Sequence, residues 1–167
     1  QPRSRGLGDV YKRQVLGHMK NIFTPRIIDI SSRWIIAAIF SVSAVMKMIS
    51  FKDTTVAVLG YEIVGISLAS YVAIGLIAME IVMALWGVSG WKKQLFHQAT
   101  ITIFVVFIML IISAWARGLE INCGCFGSSE APENPVSGYI KDIIRDCIFI
   151  AISAVGLWSL GRKEKGD

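Results

Sequence analysis

Residues 118–127 read "GLEINCGCFG" and place Cys123 and Cys125 one residue apart, just after a long apolar run. Two thiols at that spacing can close on each other, exchange with a partner's thiols, or hold a soft metal. A disulfide needs Cα atoms roughly 4.4–6.8 Å apart, which residues i and i+2 reach only in a bent backbone. Gly124 supplies the freedom for that bend. So small a ring is expected to be strained, and strain makes a disulfide more oxidising. The pair therefore suits exchange better than stapling a fold. Tetrahedral zinc takes four ligands, and beyond this pair the chain has only Cys147, His18 and His97 of the soft type. Copper(I) accepts two or three thiolates and stays open, as does a purely structural pair.

Four further residues could serve such a loop. Glu80 stands near the middle of an apolar segment, where a carboxylate is a functional candidate by default. It is expected to face the interior of a helix bundle, either handling protons during thiol or quinone chemistry or bonding one helix to another. Cys147 could be a resolving thiol, although free cysteines are often inert small hydrophobes. Arg117 and Arg145 border the same face as the loop. A cation there can stabilise a thiolate; interface anchoring, or a plain pairing of Arg145 with Asp146, is the alternative. Lys47 is expected to snorkel to the outer interface.

The elements that position these residues are apolar. Of 167 residues, 54% are hydrophobic and 17% charged, and the runs are long enough to need lipid as the solvent. Segments 27–49, 63–88 and 95–116 each cover a hydrocarbon core of ~30 Å at 1.5 Å per residue. Segment 147–160 is shorter, but Ile140, Ile143 and Ile144 extend its apolar face backwards at helical spacing, with Ser137 as the expected N-cap. All five tryptophans fall near segment ends, as in an interfacial aromatic belt. Small residues, as in Ala37-Ser41-Ala44 and Ala151-Ala154, are expected at the helix contacts. The fold class is all-α, an integral membrane four-helix bundle. A cleaved signal peptide is the alternative for the first segment, but its small residues are poorly placed for cleavage.

Residues 1–18 carry no hydrophobic period and are read as a non-native leader or disordered tail, with Met19 as the expected start. Residues 19–161 form the membrane domain, and 162–167 a basic cytoplasmic tail. The net charge of +5 does not point to nucleic acid, because the basic residues sit in short clusters between apolar runs. Eight of them (Lys20, Arg26, Arg33, Lys92, Lys93, Arg162, Lys163, Lys165) fall on one face and five (Lys47, Lys52, Arg117, Lys141, Arg145) on the other. Basic loops stay inside. Both termini are thus expected in the cytoplasm of a bacterial inner membrane, with the cysteine loop outside, where thiols oxidise.

"SAVMKM" ending the first segment, "AMEIVMALWG" in the second, and "ARG", "CGCFG" and "IRD" around the last two resemble the MauE/DoxX-like redox-associated membrane proteins. The resemblance runs from about Arg33 to Leu160, and "RG" followed by "CGCFG" is its specific part. It implies a four-helix membrane protein linked, in methylamine-oxidising bacteria, to maturation of the disulfide-rich small subunit of methylamine dehydrogenase, together with a thioredoxin-like partner. Cys123 and Cys125 match the family's paired cysteines, Glu80 its intramembrane glutamate and Lys47 its lysine. The implied activity is disulfide exchange or electron relay, with membrane quinone as a candidate acceptor. The lipid bilayer and a thioredoxin-like or disulfide-rich envelope protein are the implied partners. A non-enzymatic subunit of a respiratory or thiosulfate-oxidising complex and a copper(I)-handling protein are the alternatives.

The charge asymmetry predicts labelling. In a cysteine-free variant, one cysteine introduced near Ser128 reacts with an impermeant maleimide in intact cells, and one near Lys93 only after lysis. The reverse pattern would place the loop in the cytoplasm.

Overall fold

The computed structural model describes residues 25–119 and 135–164. These form five α-helices and, among the described residues, no strand: α1 (Pro25–Ile49), α2 (Phe51–Gly60), α3 (Ile66–Ser89), α4 (Lys93–Ala116) and α5 (Pro135–Glu164). Four of them, all but α2, are long and apolar enough to cross a membrane. The fold is an all-α bundle of membrane-spanning helices. Helix α1 packs against α3 and α5, and α4 packs against α5, whereas α3 and α4 touch along a much thinner seam. Short α2 follows α1 after a break at Ser50 and lies mainly on α3.

The inward and outward faces are the reverse of a water-soluble bundle. On α1, Asp29, Ser32, Arg33, Ile36, Ala37, Phe40, Ser43, Ala44 and Lys47 are buried, three to four residues apart along one stripe. Trp34, Ile35, Val42, Val45 and Met48 point outwards. Polar groups inside and apolar ones outside is what lipid demands, because no water is present to satisfy an exposed charge. On α5 the buried residues Tyr139, Asp146 and Ser153 recur every seven positions, so its inward stripe is also partly polar.

Glycine sets the closest crossings. A Cβ built on Gly87 of α3 would stand 2.9 Å from Ala37 Cβ, and one on Gly156 of α5 would stand 2.5 Å from Ser32 Oγ and 2.6 Å from His97 Nε2. Bare backbone at these two points lets α1 meet α3 and α5 directly. On the Lys47 side of both crossings lies an aromatic centre. Phe40 of α1 stacks on Phe104 of α4 with centroids 5.5 Å apart, and Phe149 of α5 closes on Phe104 at 5.2 Å.

Several local expectations need correction. Ser137 is not the cap of the last helix, which already runs from Pro135 and continues to Glu164, into the stretch read as a tail. The linker after the first segment contains α2, for which the sequence reading had no expectation. Arg33 belongs inside α1 and not to a tail before it. Of the small residues expected at contacts, Ala37 and Ala44 are buried, but Ser41, Ala151 and Ala154 face outwards. The leader and the cysteine loop lie outside the described residues.

Gly156→Ala forces a methyl into His97 and Ser32, an overpacking expected to cost about 1–3 kcal/mol. In detergent micelles it should lower the thermal midpoint, whereas Gly75→Ala, where a Cβ meets open space, should not. Equal midpoints for the two variants would contradict the α1–α5 crossing described above.

Candidate functional site: a buried ion pair between α1 and α3

Glu80 is 2% exposed and Lys47 6% exposed. Lys47 lies one turn from the C-terminal end of α1, yet its chain turns inwards and its Nζ donates to Glu80 Oε1 on α3. It also donates to Ser43 Oγ, one helical turn away, at 2.8 Å. Ser43 Oγ in turn donates to Glu80 Oε1 at 2.9 Å. Lysine, serine and glutamate thus form a closed triangle across the α1–α3 contact. Snorkelling of Lys47 is overturned: the gain from a hydrogen-bonded opposite charge within the bundle outweighs the reach to the interface. Glu80 faces the interior as expected, and its Oε2 has no hydrogen-bond partner among the described residues.

A second charged group approaches from α5. Arg145 donates from Nη1 to Asp142 Oδ1 at 2.8 Å and from Nε to Asp146 Oδ1 at 3.1 Å. Asp146 is buried and its Oδ2 also lacks a partner. A narrow gap lined by Ser43, Glu80, Phe104, Phe107, Arg145 and Asp146 separates the two groups. Two acids, Glu80 and Asp146, and Arg145 thus line one small space in an apolar interior, with Lys47 bonded to Glu80 beside it.

The remaining candidates are placed differently. Arg117 caps α4, donating to Ser113 O at 3.3 Å and from Nη2 to Tyr61 O at 2.7 Å. It ties the end of α4 to the turn after α2 and does not reach Glu80's triangle by any of these bonds. Cys147 is exposed, on the outward side of α5 next to inward-facing Asp146. Cys123 and Cys125 lie outside the described residues, but the two stems of their loop are joined. Tyr139 OH donates to Leu119 O, and the Tyr139 and Trp115 rings stack at 6.2 Å. The loop therefore leaves and re-enters the bundle at one point, on the same end as Lys47 and Arg117.

A cluster at the opposite end was not legible as a site. Asp29 is buried with three nitrogen groups around its carboxylate: Arg33 Nε at 3.5 Å, Lys93 Nζ at 3.3 Å and His97 Nε2 at 3.3 Å. Arg33 also donates from Nη1 to Gly87 O at 3.2 Å and passes beneath Gly90, whose φ of +69° suits glycine. The spacing of Asp29 and Arg33, i and i+4 on one helix, was the available signal. It was missed because Arg33 was counted among the topology-setting cations.

With this geometry in place, comparison with known families is informative. The family model "Methylamine utilisation protein MauE" matches residues 25–159. The chain belongs to the MauE family. The match begins at the first residue of α1 and ends within α5, so it takes in both buried clusters and the cysteine loop. No curated protein and no solved structure matches the chain. Membership in MauE suggests a membrane accessory protein in methylamine utilisation.

Truncating one partner of a buried ion pair leaves the other charged and unpaired, typically a loss of about 3–5 kcal/mol. Lys47→Met alone should therefore destabilise the bundle strongly, and the double variant Lys47→Met with Glu80→Gln should recover most of that loss. A double-mutant cycle on unfolding in mixed micelles measures it. Additive effects would mean that the pair is not coupled.

Proposed function

We propose that this MauE-family protein exchanges disulfides through Cys123 and Cys125 on the outer face of a bacterial inner membrane, keeping a disulfide-rich client or a thioredoxin-like partner oxidised. The observation that carries the reading is the Lys47–Ser43–Glu80 triangle, buried at the loop's end of the bundle with unpartnered carboxylate oxygens beside it. A structural staple needs no such group; thiol chemistry does, because every oxidation of a dithiol releases protons.

The chemistry balances as follows. A client thiolate attacks one sulfur of the Cys123–Cys125 disulfide and forms a mixed disulfide. The client's second thiolate resolves it, leaving the client oxidised and both loop cysteines as thiols. Two electrons and two protons have passed to the loop. Reoxidation passes both to an acceptor, and a membrane quinone becoming quinol takes up that number. Glu80, held by Lys47 and Ser43, is the group proposed to handle a proton. Arg145 holds Asp142 and Asp146 in place near it, and Arg117 holds the outer turns together.

Redox titration with mass-shifting thiol reagents tests the proposal. Cys123 and Cys125 should titrate together, well above the roughly −300 mV of structural disulfides. Cys125→Ala should abolish client oxidation but leave membrane insertion intact, and Glu80→Gln combined with Lys47→Met, which leaves no unpaired charge in the bundle, should insert normally and lose activity. Two cysteines that stay reduced in the oxidising compartment, or an active Cys125→Ala, would sink exchange and favour metal handling.

A further inference from the structure

Beside the ion pair lies a second, larger space that the network does not use. A partly enclosed cavity of about 250 Å³ is bounded by Thr54, Val58 and Tyr61 of the α2 region, Val72 and Leu76 of α3, and Phe107, Leu110 and Ile111 of α4. Its walls are almost wholly apolar, and it lies along the α3–α4 seam, where the two helices touch little. Among the described residues, Lys47 is the one ionic residue in its lining.

Lys47 stands between two spaces. Lys47 lines the cavity, and its ammonium bonds Glu80 and Ser43, which line the narrow gap. An ammonium has three N–H donors, and these bonds occupy two. We propose that this cavity binds the ring of an isoprenoid quinone, with Lys47 as the residue that directs a ring carbonyl and the α3–α4 seam as the passage for the isoprenoid tail. An apolar cavity of about 150 Å³ is enough for benzene, so the space suits a quinone ring with its first isoprene unit. An acyl chain alone would fill the same walls but has no acceptor for Lys47. A carbonyl oxygen does, and its electron-rich character complements the cation. As a binding site the cavity stands on its own geometry; as the acceptor site for the loop's electrons it rests on the disulfide reading above. There, the quinone takes two electrons from the Cys123–Cys125 dithiol and two protons, and leaves as quinol.

The test is photolabelling of the purified full chain in nanodiscs with an azido-benzoquinone bearing one isoprene unit, followed by peptide mapping. Label should fall on residues 72–76 and 107–111 and be displaced by the unlabelled short-chain quinone, not by oleate. Leu110→Trp, which fills the cavity, should reduce labelling at least tenfold, and Val105→Trp, on the exposed side of α4, should not. Lys47→Met should weaken displacement by about fivefold, the loss of one hydrogen bond. Leu110→Trp keeps the proposal testable if Lys47→Met fails to fold. Label spread over the lipid-facing surface, displacement by oleate, or labelling indifferent to Leu110→Trp would overturn the quinone site. The same labelling in Cys123→Ser with Cys125→Ser separates the two ideas. Its persistence supports the site even where client oxidation fails, and its loss would show that the label had followed the loop and overturn the cavity as its location.

Discussion

The Lys47–Glu80 ion pair is the constraint around which the bundle is arranged. A lone charge in the hydrocarbon region is expensive, so neither residue can occupy its position without the other. Helix α1 must present Lys47 and Ser43 to the face of α3 that carries Glu80, and that fixes the rotation of both helices about their axes. The same rotation brings Ala37 over Gly87 and Phe40 over Phe104. Moving α1 by one residue would carry its whole polar stripe round towards lipid.

Helix α1 is therefore the spine of the molecule, with a charged cluster near each end. Lys47 and Asp29 are eighteen positions apart, roughly 27 Å along the axis at 1.5 Å per residue. Between them the interior is apolar and aromatic. At the Asp29 cluster a single carboxylate organises two helix ends, drawing Arg33 from its own helix and Lys93 and His97 from α4. At the other cluster Lys47 pairs with Glu80, and Arg145 is shared between Asp142 and Asp146. One end thus gathers several nitrogen groups on one carboxylate, and the other, from which the cysteine loop leaves, sets three carboxylates against two cations.

That asymmetry bears on function. A bundle held only by small-residue packing would be a passive membrane anchor. This one spends buried charge at one level of the membrane and leaves an apolar cavity at the same level, with Lys47 between them. The loop stems, joined through Tyr139 and Leu119 and stacked through Trp115, hold the loop's attachment over that region. Membership in the MauE family suggests a membrane accessory protein in methylamine utilisation.

Much of this was legible along the chain. Segment length and hydropathy are local properties, so the four spanning helices, the inward-facing Glu80 and the family itself could be read from residue order. Lys47 could be marked but not placed: a lysine one turn from a helix end can snorkel or turn inwards, and only the position of Glu80 on a neighbouring helix decides between them. The Asp29 cluster was hidden for the same reason. Arg33 and Lys93 look like topology determinants by sequence, and His97 looks incidental, until α4 sets His97 and Lys93 beside α1. Helix adjacency was equally silent, since nothing local says that α1 meets α3 and α5 while α3 and α4 barely touch. Residue order determined what each helix carries and that lipid surrounds it. The tertiary structure alone decided which charges meet, because pairing across helices depends on their rotation and neighbours, and these are settled by burial of the whole set at once.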